Sequence, residues 1–445
     1  MSDGPHGLRR QSEEENYSNI NDSKKATCFP TASCVASSWN VESVKKMSSA
    51  IAKEAKAENV DIVLGCGMNI KRTPLCGRNF EYFSEDPVLA GELACGYVDG
   101  MQGENVGSCI KHFACNNQEK NRQSSSSNVD ERTLREIYLK PFEIAVKKSK
   151  PYSIMTSYNM VNGKYASCNR HLLNEILRHE WGFDGIVISD WGAAIDVASC
   201  VKAGMDLAMP DSFGYFENEL KIAFEKGEIS ESDIDTACKR IIKTSLLLNT
   251  LNNDVDYEDV DYEAQSQIAL ELALDSAVLL KNDGILPLNY STEEKHRSTV
   301  IVVGSLSENM KFQGGGSSHI NPTQFSIATE ELGKYFNVIY EEGYFSTFCP
   351  EKKRKKKNKA LFEKAIKNLK KIIDLNSEIP VLFFCGLTDS FEGEGFDRKN
   401  MDLPLEQLEL YEEISKMTKN IVLVNFSGSP VNLEFAKDCR AILQM

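Results

Sequence analysis

Along the first half of the chain, stretches of helical periodicity alternate with short apolar runs. Val41, Val44, Met47, Ile51, Ala52 and Ala55 fall at helix spacing, and the β-rich run Val60-Asp61-Ile62-Val63-Leu64 follows. A second helical stretch, about 88–101, precedes Cys109-Ile110-Lys111-His112-Phe113, and a third, 131–148, precedes Tyr152-Ser153-Ile154-Met155. A fourth, 172–180, leads into Gly185-Ile186-Val187-Ile188, and the short run Met205-Asp206-Leu207-Ala208-Met209 comes last. Repeated helix–strand alternation predicts parallel strands joined by helical crossovers. Periodicity leaves a β/α barrel and a doubly wound sheet equally open.

A helical pattern over about 232–249 closes this first unit, placing a domain at 1–250. The acidic, Asn-rich stretch 251–264 reads as a linker. A second α/β unit, 265–445, carries strand runs at Ile301-Val302-Val303, Val381-Leu382-Phe383-Phe384 and Ile421-Val422-Leu423-Val424. Between the first two, Leu361, Phe362, Ala365, Ile366, Leu369, Ile372 and Ile373 mark one face of a helix. The basic run Lys352–Lys359 at its start has the composition of a nuclear-localisation patch, but reads first as a solvated charged loop.

Polar residues recur where the apolar runs of the first unit end. Lys111 and His112 end one run, Tyr158 follows the next and Asp190 the one after. Arg78 lies in the loop after Leu64, and Asp3 stands at the start of the chain. Any one of these could be a solvated loop residue. Together they read as a site at the carboxyl ends of the strands, where β/α barrels place their chemistry. Carboxylates, Arg and Lys match vicinal sugar hydroxyls, and Trp191 and Tyr158 offer faces for a sugar ring. In the second unit, Phe391-Glu392-Gly393-Glu394-Gly395-Phe396-Asp397-Arg398 follows a strand; alone it reads as an acidic loop. Gly314-Gly315-Gly316-Ser317-Ser318 lacks phosphate-loop spacing and reads as a flexible loop near the cleft.

Composition trims these readings. A net charge of -14 argues against phosphate-backbone binding, so no nucleic-acid partner is expected. No apolar run reaches the ~20 residues of a membrane span, and no membrane partner is expected. The 13 cysteines show no Cys-x-x-Cys spacing and no His-x-x-x-His occurs, so neither metal nor cofactor is expected. The cysteines read as reduced, mostly buried, in a cytoplasmic protein. Homo-oligomerisation is compatible with the sequence.

The segments Asp3–Arg9, Gly77–Pro87, Lys111–Glu119, Met155–Gly163, Gly182–Gly192 and Ser276–Leu288 together resemble glycoside hydrolase family 3. The resemblance is collinear and implies a (β/α)8-type barrel followed by an α/β sandwich domain, with the site between them. It implies a retaining β-glucosidase with Asp190 as nucleophile and Glu394 as acid/base, Glu392 being the fallback. Asp3, Arg78, Lys111, His112, Tyr158 and Trp191 would hold the terminal sugar, with Lys111, Arg78 and His112 keeping Asp190 ionised. Lys111-His112-Phe113-Ala114-Cys115 departs from the N-acetylglucosaminidase pattern; β-xylosidase-type specificity stays open. Members carry further residues at both ends, so a truncated chain is expected, with a barrel incomplete at its N-terminus, Asp3 weakly fixed and the sandwich partial. A catalytically weak remnant that at most binds carbohydrate is the competing reading.

Overall fold

The computed structural model describes residues 1–11, 23–251, 260–347 and 351–445. The first sheet has five parallel strands in chain order: β1 (Ser2–Asp3), β2 (Ile62–Leu64), β3 (Gly107–Phe113), β4 (Ser153–Thr156) and β5 (Ile186–Ser189). Strands β2 to β5 are buried throughout, as expected for parallel strands covered by helices. Beyond β5 the run expected at 205–209 contributes a single parallel bridge, Ile188 to Leu207. Asp206 explains why it stays beside β5. Its buried carboxylate accepts from Val187 N (2.8 Å), Arg178 (2.5 Å) and Arg240 (3.0 Å), tying strand, helix and loop together.

The crossovers are helical. Val41–Ala57 is capped by Asn40 and Pro87–Gly103 by Asp86. Their buried Val44, Met47, Ile51, Leu93, Tyr97 and Met101 join Val63, Ile110, Ile154 and Val187 in one core. The stretch expected as one helix over 131–148 is interrupted: a wider turn over Leu134–Tyr138 separates a short start from the helix Lys140–Ser149. Pro141 stands in the first turn of that helix, where its missing N–H costs nothing.

The second sheet orders β6 (Val278–Asn282), β11 (Ala441–Gln444), β10 (Ile421–Phe426), β9 (Val381–Gly386), β7 (Thr299–Val303) and β8 (Asn337–Glu341). Only the edge strand β6 runs antiparallel to its neighbour. The fold is thus a barrel-like α/β domain followed by an α/β sandwich domain. The basic run Lys352–Lys359 is not a loop: it forms the exposed beginning of the helix Glu351–Leu375, whose Ala365, Leu369 and Ile373 are buried. Long Lys and Arg side chains have good helix propensity, so charge alone did not mark a loop.

Residues 252–259 of the expected linker lie outside the described residues. The helix Tyr262–Ser276 that follows, capped by Asp261, packs on the first domain: Leu272 joins its core and Gln265 donates to Ala50 O at 3.2 Å. The domains also meet where Lys25–Ala26 pairs in parallel with Asn321–Pro322.

Candidate active site

Parallel strands deliver their carboxyl ends to one side. Seven of the predicted residues arrive there from β1 to β5 or the loops after them, and Glu394 arrives from the second domain. Asp3, Arg78, Lys111, His112, Tyr158, Asp190, Trp191 and Glu394 all line one cavity of about 800 Å³. Glu392 does not line it. That side chain is buried on the far side of its loop, beside Phe80, Phe312 and Phe426.

Asp3 is firmly held rather than weakly fixed. Its strand pairs with β2, Arg9 N donates to its carbonyl at 2.9 Å, and Lys111 Nζ reaches its Oδ1 at 3.1 Å. Lys111 is buried and also lies 3.5 Å from Glu81 Oε1. Burial favours its neutral form, but Asp3 and Glu81 outweigh burial and raise its pKa, so it stays charged. Arg78, buried on a short helical turn, grips Glu81 with two hydrogen bonds of 2.7 and 2.8 Å. This fork-to-carboxylate pair fixes both side chains at the cavity floor.

Asp190 follows the last residue of β5. Its Oδ1 accepts from Trp191 N at 2.7 Å, while Oδ2 is buried with no hydrogen-bond partner among the described residues. Burial pushes its carboxyl up to about 6, opposed by the Arg78 and Lys111 cations. His112 Nε2 lies 3.6 Å from Asp190 Oδ2. His112 cannot help to ionise Asp190, contrary to the sequence expectation. Burial, with Arg78, Lys111 and Arg122 nearby, holds its pKa well below the ordinary value, so the ring is neutral. Trp191, 42% exposed, stands at the cavity rim.

Glu394 is gripped from three directions. Arg122 donates to its Oε1 at 2.8 Å, Arg78 lies 3.5 Å from the same oxygen, and Ser317 N donates to Oε2 at 2.9 Å. Burial raises its pKa, but the two guanidinium groups more than offset this and hold the carboxyl well below the usual range. The Glu394 loop is stitched to the barrel by Gly393 N to Gly77 O (3.0 Å), Gly395 N to Glu119 Oε2 (2.9 Å) and Arg398 N to Leu75 O (2.8 Å). Asp397 completes the seam, accepting from Gly77 N at 3.1 Å and Glu119 N at 2.9 Å.

The residues that sequence reasoning missed are Glu81, Arg122, Glu119 and the Ser317 N–H. Arg122 also lies over the Tyr158 ring, 4.4 Å from its centroid. Its only sequence signal was a cation in the loop after β3, the position that had singled out Arg78 after β2. The Gly-rich loop, read from the sequence as a flexible loop near the cleft, supplies Gly316 and Ser317 to the cavity wall. Among the described residues no cluster of His, Cys, Asp and Glu could hold a metal, and no helix is long and apolar enough to cross a membrane.

Comparison with known proteins supplies the context for this geometry. The family model for the glycosyl hydrolase family 3 N terminal domain matches residues 12–244, and that for the glycosyl hydrolase family 3 C-terminal domain matches residues 277–445. The chain is 43% identical to thermostable beta-glucosidase B of Acetivibrio thermocellus, over 100% of this chain and 57% of that protein. It is 39% identical to an exo-alpha-(1->6)-L-arabinopyranosidase of Bifidobacterium longum, over 100% of this chain and 58% of that protein. The solved structure of beta-glucosidase 3B from Thermotoga neapolitana in complex with glucose superposes with a TM-score of 0.85 at 33% identity, over 99% of this chain and 64% of that one. The chain thus spans less than two thirds of the length of each of these relatives.

Proposed function

Because the chain belongs to glycosyl hydrolase family 3, we propose that it acts as a retaining β-glucosidase, releasing a terminal sugar through a covalent glycosyl-enzyme intermediate. One observation carries the reading: two carboxylates from different domains, Asp190 and Glu394, face one cavity ringed by groups suited to sugar hydroxyls.

Asp190 is the nucleophile. Its partner-free Oδ2 is the oxygen available to attack an anomeric carbon, and its pKa of about 6 leaves it mostly ionised at neutral pH. Lys111, Asp3 and Arg78 form a rigid charged floor for the hydroxyls of the non-reducing-end sugar, so little ordering is left to occur on binding. Neutral His112 serves as a hydrogen-bonding group, and Trp191 offers an apolar face.

Glu394 is the acid/base residue; Glu392 points away from the cavity. The proton donor must be protonated in the first step and act as base on water in the second. Arg122, Arg78 and Ser317 N–H favour its ionised form, the state needed for the second step. A sugar hydroxyl that takes up Arg122 would weaken this grip and let Glu394 carry a proton.

Hydrolysis of 4-nitrophenyl β-glucoside by the purified chain, with loss in Asp190→Ala and circular dichroism on both, tests the reading. A folded chain inactive on every aryl glycoside would favour the remnant that only binds sugar. A second specificity has specific support in the arabinopyranosidase relative. A pentopyranose lacks the exocyclic hydroxymethyl group, and kcat/KM for nitrophenyl α-L-arabinopyranoside, β-xyloside and β-glucoside would rank the candidates.

A further inference from the structure

Cys168 and Cys200 stand apart from the other cysteines. Their sulfurs are 2.9 Å apart, the one pair of cysteine sulfurs in hydrogen-bonding contact among the described residues. A disulfide bond is only about 0.9 Å shorter. Cys168 ends the short helical turn Ala166–Cys168 and is partly exposed; Cys200 is fully buried in the helix Val197–Ala203. The partners are far apart in sequence, but the fold holds the two elements together. Ser167 Oγ donates to Ala193 O at 2.7 Å, and Cys168 Sγ lies 3.7 Å from the carbonyl of Asp196, the cap of the Cys200 helix. Between β5 and that helix runs the segment that begins with Asp190 and Trp191 at the cavity.

We propose that Cys168 and Cys200 are a reversible oxidation site, forming an intramolecular disulfide by exchange with a low-molecular-weight disulfide such as oxidised glutathione. The bond pins the segment after Asp190 to the loop after β4. Cys168 is the entry point because it alone of the two reaches solvent. Its thiol is lowered to about 7, chiefly by the hydrogen bond from Cys200, so a useful fraction is thiolate at neutral pH. The Cys168 thiolate attacks one sulfur of the small disulfide and expels one thiolate, leaving a mixed disulfide on Cys168. The Cys200 sulfur, losing its proton to that expelled thiolate or to water, attacks Cys168 Sγ and expels the second small thiol. Two protein thiols are oxidised, one small disulfide is reduced to two thiols, and no other oxidant is needed. The hydrogen bond with Cys168, and then burial, raise the Cys200 pKa, so it is the resolving rather than the attacking partner.

The test is equilibration of the purified chain in reduced and oxidised glutathione at graded ratios, followed by trypsin mapping without reductant. Cys168 lies between Lys164 and Arg170 and Cys200 between Arg178 and Lys202, so trypsin separates them onto different peptides. The expected result is a single cross-linked species of these two peptides, two hydrogens lighter than their sum. It should vanish on reduction and be accompanied by a higher thermal midpoint. Cys168→Ser and Cys200→Ala should each abolish the cross-link and the shift, whereas Cys238→Ser, which removes the exposed thiol of another helix, should keep both. Wild-type protein that stays fully reduced at this pair under the most oxidising ratio, or that stops at glutathione on Cys168, would overturn the proposal. The wild-type map needs no variant to fold.

Discussion

Gly77 packs against the backbone of the Glu394 loop, and Gly77→Ala tests whether that contact positions catalysis. An added Cβ would sit 1.9 Å from Phe396 O and 2.4 Å from Gly393 O, both backbone atoms on either side of Glu394. A Cβ contact needs at least 3.0 Å, so the loop must retreat by about 1 Å. A misplacement of that size costs on the order of 100-fold, about 2.7 kcal/mol of transition-state stabilisation. The loss should depend on the leaving group, because Glu394 is proposed to protonate it. kcat/KM for 4-nitrophenyl β-glucoside should fall by roughly that factor, and for 2,4-dinitrophenyl β-glucoside, whose leaving group needs little protonation, by much less. Thermal melting on the same sample separates a displaced loop from an unfolded domain. A folded variant with wild-type kcat/KM on both substrates would refute the idea that this seam sets the position of Glu394.

Other perturbations probe separate parts of the site. Asp190→Ala should abolish hydrolysis of all aryl glycosides with an unchanged circular dichroism spectrum; retained turnover would remove it as nucleophile. Because Asp190 titrates near 6, its ionised form is lost as pH falls through that value. For 2,4-dinitrophenyl β-glucoside, kcat/KM should therefore drop by about tenfold per pH unit well below 6 and level off above, and a pH-independent acid side would contradict this. Arg122→Gln removes a cation from Glu394, so the proton donor should survive to higher pH; the alkaline limb for 4-nitrophenyl β-glucoside should move upward, and a downward move would count against the grip described. Away from the cavity, Asp206→Ala strands buried Arg178 without its carboxylate and should cost roughly 3–5 kcal/mol, read as a lower urea midpoint.

The sequence alone determined the alternation of helices and strands, and with it which residues could share one end of a parallel sheet. Asp190, Lys111, His112 and Tyr158 were legible because an apolar strand has no local reason to finish in polar groups. Arg122 was not, because a cation in a polar stretch of Asn, Gln and Ser looks like any solvated loop. Lys352–Lys359 was read as a loop although its residues favour helix, because exposed charge carries no periodic signal. Glu392 and Glu394 were indistinguishable between their glycines; only the docking of Gly393 against Gly77 turns one carboxylate into the cavity and buries the other behind it. Protonation states likewise belonged to the tertiary structure. The resemblance implied that His112 would help to keep Asp190 ionised, but burial beside Arg78, Lys111 and Arg122 makes it neutral. Glu394, expected to need its proton, sits between two guanidinium groups brought from loops about three hundred residues away in the chain. Secondary structure follows local chain preference and can be read from the sequence; a pKa depends on what surrounds a group in space, and that is set only when the two domains close on each other.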